Sequence, residues 1–121
     1  MTDAGFTVDV IGGVPVVRAP EDVDIVNADG LRAALAHAAG LQAPHGALVV
    51  DMARTEFCDT AGLHALVAAH KRARTGGGQL LLVIGGAAVV RVFSITGLDR
   101  VIPHVTSLEQ ALARIGTAEG G

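Results

Sequence analysis

Two β-branched runs, Thr7 to Ile11 and Val14 to Ala19, flank Gly12-Gly13. Strand-forming runs joined by two glycines predict a β-hairpin. Pro20-Glu21-Asp22-Val23-Asp24 breaks the pattern. Leu31, Leu35 and Ala38 then recur at helical spacing, with Gly40 as a stop and Gly30 as an unfavourable interior residue. Gln42 to Gly46 reads as a loop. Ala47 to Asp51 is continuously apolar up to its last residue, the mark of a strand buried on both faces. A second helix puts Leu63, Leu66, Val67 and His70 on one side and ends at Gly76-Gly77-Gly78. Leu80 to Ile84 repeats the buried-strand pattern. Val89, Val92 and Phe93 mark a third helix, stopped by Gly97, and Val101-Ile102-Pro103 predicts a short edge strand. Thr106-Ser107-Leu108-Glu109 has the spacing of a capping box, opening a last helix with Leu108, Ala111, Leu112 and Ile115 on one face. Gly116 to Gly121 is expected to fray. The order is β-β-α-β-α-β-α-β-α, which predicts an α/β fold: a mixed, mostly parallel sheet with about four helices and an N-terminal hairpin.

Composition narrows the class. A chain of 121 residues without an interdomain linker or internal repeat predicts one domain, residues 1–121, with its core at about 6–115. Half of the residues are hydrophobic, and mean hydropathy is +0.50. No apolar run approaches the ~20 residues that span a bilayer. The first residues lack a positive, apolar leader. With one cysteine, no internal disulfide can form. The expectation is a cytoplasmic protein with no membrane contact. The net charge of −3, without Trp or Tyr, argues against a nucleic-acid partner.

The candidate chemistry lies in Asp59-Thr60-Ala61-Gly62-Leu63, where a connector ending Phe57-Cys58 hands over to a helix. A first helical turn carries unpaired N–H groups and a positive dipole end, which favour a phosphate. Asp59-Thr60 reads as an ordinary cap followed by the first helical residue, or as a phosphorylation switch in which Asp59 also positions the acceptor hydroxyl. Gly62 is expected to admit another backbone at close range, a partner's or that of a neighbouring strand. Asp22 and Asp24 read as turn and cap residues or as a partner contact. Ala61, Ala65, Ala68 and Ala69 offer a small-residue face to a partner, or simply favour the helix. Cys58 reads as a small core residue, since nothing pairs it with a base. His37, His45, His64, His70 and His104 lack metal-ligand spacing, and His64 and His70 fall on different helix faces. Gly85-Gly86 lacks the third glycine and the lysine of a phosphate-binding loop. No metal, cofactor or catalytic residue is expected.

Taken together, Val49-Val50-Asp51, Phe57 to Leu63, Gly76-Gly77-Gly78 before an apolar strand, Thr96-Gly97-Leu98-Asp99, and Ser107 to Leu112 resemble the STAS domain. The similarity is greatest to the single-domain bacterial anti-sigma factor antagonists, and it spans about residues 6–115. The resemblance implies a partner-switching regulator and not an enzyme. In its unphosphorylated form such an antagonist binds an anti-sigma factor, a serine/threonine kinase of the histidine-kinase-like ATPase fold, and so frees a sigma factor. Phosphorylation ends the binding, and a PPM-type phosphatase resets it. The matching hydroxyl is Thr60, where the family most often has Ser. Ala61 replaces a usual second hydroxyl, leaving Thr60 as the acceptor within the motif. Glu21-Asp22-Val23-Asp24 stands for the usual Gly-Glu-Leu-Asp, so the turn there is expected to differ. The implied partner contacts are Asp22, Asp24, Asp59, Thr60, Ala61, Gly62 and His64, with Asp22 and Asp24 facing the kinase near its nucleotide. The alternative is a non-phosphorylated STAS scaffold module in a larger signalling assembly.

Overall fold

Ala47–Met52 (β5) and Gln79–Ile84 (β7) pair in parallel over their full length, from Ala47 against Gln79 to Met52 against Ile84. Val14–Arg18 (β3) lies parallel on the other side of β5, and the short His104–Val105 (β8) lies parallel beyond β7. Thr2–Asp3 (β1) and Phe6–Ile11 (β2) extend the sheet antiparallel, with β2 and β3 joined tightly at Gly12-Gly13. The six strands run in the order β1-β2-β3-β5-β7-β8. This computed structural model describes residues 2–3, 5–41, 43 and 46–120, and side chains for 5–41, 43 and 46–115.

Each step from β3 to β5, β7 and β8 is a crossover in the same direction. The crossovers carry Ala28–Ala39 (α1), Thr60–Thr75 (α2) and Ala87–Thr96 (α3). Right-handed crossovers in one direction put all their helices on one face. Leu108–Gly120 (α4) follows the last strand and covers the opposite face. Period-two alternation sorts the central strands between these layers. Leu48, Val50 and Met52, with Leu80, Leu82 and Ile84, join Leu31, Leu35, Leu66 and Phe93 in the larger core. Val49, Leu81 and Val83, with Val14 and Val16, meet Ala111 and Ile115 of α4. Burying each large aliphatic side chain stabilises the fold by about 1.5–3 kcal/mol.

Local signals set most helix ends. Leu31, Ala34, Leu35 and Ala38 form the buried stripe of α1. Gly97 adopts φ 79° and stops α3, a left-handed conformation that glycine adopts without strain. The expected edge strand at Val101 to Pro103 is displaced to His104–Val105. Leu98–Arg100 forms a 3₁₀ turn, and the Ile102 N–H is spent on the Leu98 carbonyl at 2.9 Å. Ile102 is fully buried as a strand residue would be, yet it closes a turn. The capping box is also shifted by one residue. Ser107 is the cap, its Oγ accepting from Gln110 N, while Gln110 Oε1 accepts from Thr106 N and Thr106 Oγ1. Along its backbone α4 continues past Ile115 to Gly120. Within the expected loop at Gln42 to Gly46, residues 42, 44 and 45 lie outside the described residues.

Two further strands were read from the sequence as a break and a connector. Asp22–Val23 (β4) and Phe57–Cys58 (β6) form a separate two-stranded parallel sheet. No helix among the described residues is long and apolar enough to cross a membrane.

Candidate functional site

The β4–β6 pair builds the site. Asp22 stands opposite Phe57, and Val23 opposite Cys58. Val23 and Cys58 are buried, while Asp22 and Phe57 are exposed. The Thr55–Phe57 segment is fastened to the Pro20–Glu21 turn from both sides. The buried Thr55 hydroxyl donates to the Pro20 carbonyl at 2.8 Å, and the Glu56 and Phe57 N–H groups donate to the Glu21 carbonyl. The Asp59 N–H donates to the Val23 carbonyl at 3.0 Å, delivering Asp59 to the start of α2.

Asp59 is the helix cap. Its Oδ1 accepts from Ala61 N at 3.0 Å and Gly62 N at 3.3 Å. Its Oδ2 accepts from Ile25 N at 3.1 Å. Both carboxylate oxygens are thus engaged by backbone donors, and the N–H groups of Ala61 and Gly62 are already satisfied. The sequence suggested that a phosphate could take those N–H groups; it would have to displace Asp59 to do so. Asp24 organises the facing turn. Its Oδ1 accepts from Val26 N and Asn27 N, and its own N–H donates to Asn27 Oδ1 at 2.9 Å. Asn27 Nδ2 closes the unit on the Asp22 carbonyl at 2.7 Å.

Thr60 is exposed at the first position of α2, and the exposed His64 lies one turn further along the same face. Ala61 is half-buried. Of the two neighbours expected at Gly62, it is strands of its own chain that take up the space, through side chains and not backbone. A Cβ there would come within 2.7 Å of Val23 Cγ1 and 2.9 Å of Cys58 Sγ. Only a hydrogen fits where α2 begins against β4 and β6. The alanine face is corrected as well. Ala65 and Ala69 are buried, and with Ala68 they border a cavity of about 560 Å³ between α2 and α1.

Cys58 packs beneath the cap, whereas His70 lies further along α2 on its buried side. Burial, then the Asp59 charge, pushes the Cys58 thiol up to about 12. Burial, then Arg74, holds the His70 imidazole below its ordinary value. Among the described residues, no group of three or more His, Cys, Asp or Glu side chains could hold a metal ion. His45 lies outside the described residues.

Sequence reasoning missed Asn27, whose signal was an Asp-x-x-Asn spacing just before a helix. It also missed Ile25, Val26 and Phe57, large apolar side chains that stand in solvent beside Asp24, Asp22 and Asp59. An apolar pair in an otherwise polar turn was the available sign.

The comparisons agree with this architecture. BtrV of Bordetella bronchiseptica, described as a candidate anti-sigma factor antagonist, is 31% identical over 113 residues, covering 93% of this chain and 96% of BtrV. The crystal structure of an anti-sigma factor antagonist from Mycobacterium paratuberculosis superposes with a TM-score of 0.81 at 29% identity, covering 94% of this chain and 97% of that one. SpoIIAA of Bacillus in its phosphorylated form shares the fold, with a TM-score of 0.68 at 19% identity, covering 91% and 98% of the two chains. The STAS domain pattern matches residues 6–111. In sequence and in architecture, then, this chain belongs to the STAS domain family.

Proposed function

We propose that this protein is an anti-sigma factor antagonist whose unphosphorylated form binds an anti-sigma factor kinase of the histidine-kinase-like ATPase fold, releasing the sigma factor. Phosphorylation of Thr60 switches that binding off, and a PPM-type phosphatase restores it. One observation carries the reading: the Thr60 hydroxyl is exposed directly after a carboxylate whose two oxygens hold α2 and the Asp24–Asn27 turn. The names of BtrV and of the mycobacterial protein support the antagonist role. The phosphorylated SpoIIAA supports the view that this fold tolerates the modification.

In the transfer, Thr60 Oγ1 bonds to the γ-phosphorus of ATP, the bond to ADP breaks, and the hydroxyl proton passes to a base on the kinase. The product adds about −1.5 to −2 charge beside Asp59. Asp59 cannot move away without giving up its helix cap or the Ile25 N–H. At the interface the phosphate adds like-charge repulsion with Asp59, bulk and a desolvation cost, so the partner no longer closes over Thr60. Intact and fragment mass spectrometry of protein from its own host tests this. One phosphoryl group on Thr60, absent in Thr60→Ala, is expected. No modification under any growth condition overturns the switch and favours the scaffold reading.

A further inference from the structure

The turn that Asp24 and Asp59 hold presents two large apolar side chains to solvent. Ile25 is 78% exposed and Val26 is 89% exposed. On the adjoining β6, Phe57 is 51% exposed. Such a group gains nothing from the fold it sits on. The turn is fixed through the N–H groups of Ile25 and Val26, so their side chains are free for another use. The surroundings are acidic. Glu21, Asp22 and Glu56 are exposed around the group, and Asp24 is half-exposed. Val26 lines a shallow depression of about 530 Å³ together with Glu21, Asp22 and Asp24, where Arg54 supplies the basic group. An apolar centre within a polar rim is the anatomy of a protein interface.

We propose that Ile25, Val26 and Phe57 are the apolar anchors of the partner interface, and that the anti-sigma factor meets them with an apolar pocket rimmed by Lys and Arg. This inference rests on the partner-switching reading above and adds what sets affinity and partner choice. Anchors supply most of the binding, while the acidic rim selects a basic partner and speeds encounter. Thr60 then switches an interface whose strength comes from the neighbouring turn, because Asp59 joins the two.

The test is titration calorimetry against the purified ATPase-fold anti-sigma kinases of the host. The wild type is compared with Ile25→Ser/Val26→Ser, Asp22→Lys, Thr60→Glu and the control Val10→Ser, which alters an exposed apolar residue of β2. The double variant is expected to bind about 30- to 100-fold more weakly, since each buried aliphatic is worth about tenfold or more. Its melting temperature should be unchanged, because both side chains are exposed and both N–H donors remain. Asp22→Lys should weaken binding and flatten its salt dependence, and Val10→Ser should bind as wild type. Double-variant affinity within threefold of wild type, with Thr60→Glu inactive, overturns the anchors and leaves the switch standing. A wild type that binds none of these kinases overturns both. Self-association of the wild type that the double variant abolishes would assign the patch to a second copy and overturn the proposal.

Discussion

The backbone N–H of Ile25 donates to Oδ2 of Asp59 at 3.1 Å, across 34 positions of sequence. The other oxygen of the same carboxylate caps α2. One side chain thereby ties the entry to α1 to the start of α2. Asp59→Ala should cost about 1–2 kcal/mol in urea unfolding, the usual loss for a cap, and Asp59→Asn, which keeps one oxygen acceptor, should cost less. The amides of Ala61 and Ile25 should exchange faster with solvent in the Ala variant. Unchanged exchange at Ile25 would show that the tie contributes nothing.

Thr60→Glu places a charge beside that carboxylate at an exposed position. Binding to the anti-sigma factor should fall at least tenfold, with a melting temperature close to wild type. Thr60→Val removes the hydroxyl but keeps the shape, so it should bind and resist the kinase. A large loss of stability in Thr60→Glu, with binding retained, would refute a switch that acts on the interface.

Gly62→Ala should destabilise by about 1–3 kcal/mol, because the new methyl meets Val23 Cγ1 and Cys58 Sγ at 2.7 and 2.9 Å. Truncation of the larger neighbour should restore space. In a double-mutant cycle, Gly62→Ala with Val23→Ala should therefore cost less than the sum of the single changes. Strict additivity would place the strain elsewhere.

His70 gives a pH dependence. Its imidazole is held below the ordinary 6.5 by burial and by Arg74, so the unfolded chain takes up its proton first on acidification. The contribution of neutral His70 is complete above pH 6.5 and is lost as pH falls from there through the lower folded value. His70→Leu should flatten this part of the stability profile in urea titrations at successive pH values. An unchanged slope would remove His70 as its source.

Cys58, buried and pushed up to about 12, should resist iodoacetamide at pH 8 in the folded protein and react at once in denaturant. Rapid labelling of the native state would show that the β6–α2 junction opens readily.

What the sequence disclosed depended on how many residues reported each element. β5 and β7 were legible because Ala47 to Asp51 and Leu80 to Ile84 are apolar on both faces, as a strand between two helical layers must be. The stripe of α1 was equally plain, from Leu31 to Ala38. β4 and β6 escaped because two-residue strands with one inward side chain each, Val23 and Cys58, have no period to detect. At the site, the Asp59 cap was legible as a local pattern, whereas its bond to Ile25 depends on long-range pairing that no short window contains. Ala65 and Ala69 misled because small residues suit a partner face and a buried helix face alike.

The separate covering of the two sheet faces sets an order of assembly. α1, α2 and α3 are interleaved with the strands, so the larger core can close as successive strands pair. The face formed by Val14, Val16, Val49, Leu81 and Val83 is closed by α4, which follows every strand among the described residues. A chain whose strands have paired but whose α4 has not docked therefore carries one bare aliphatic sheet face. Until α4 docks, that face is the part of the chain most open to misassociation.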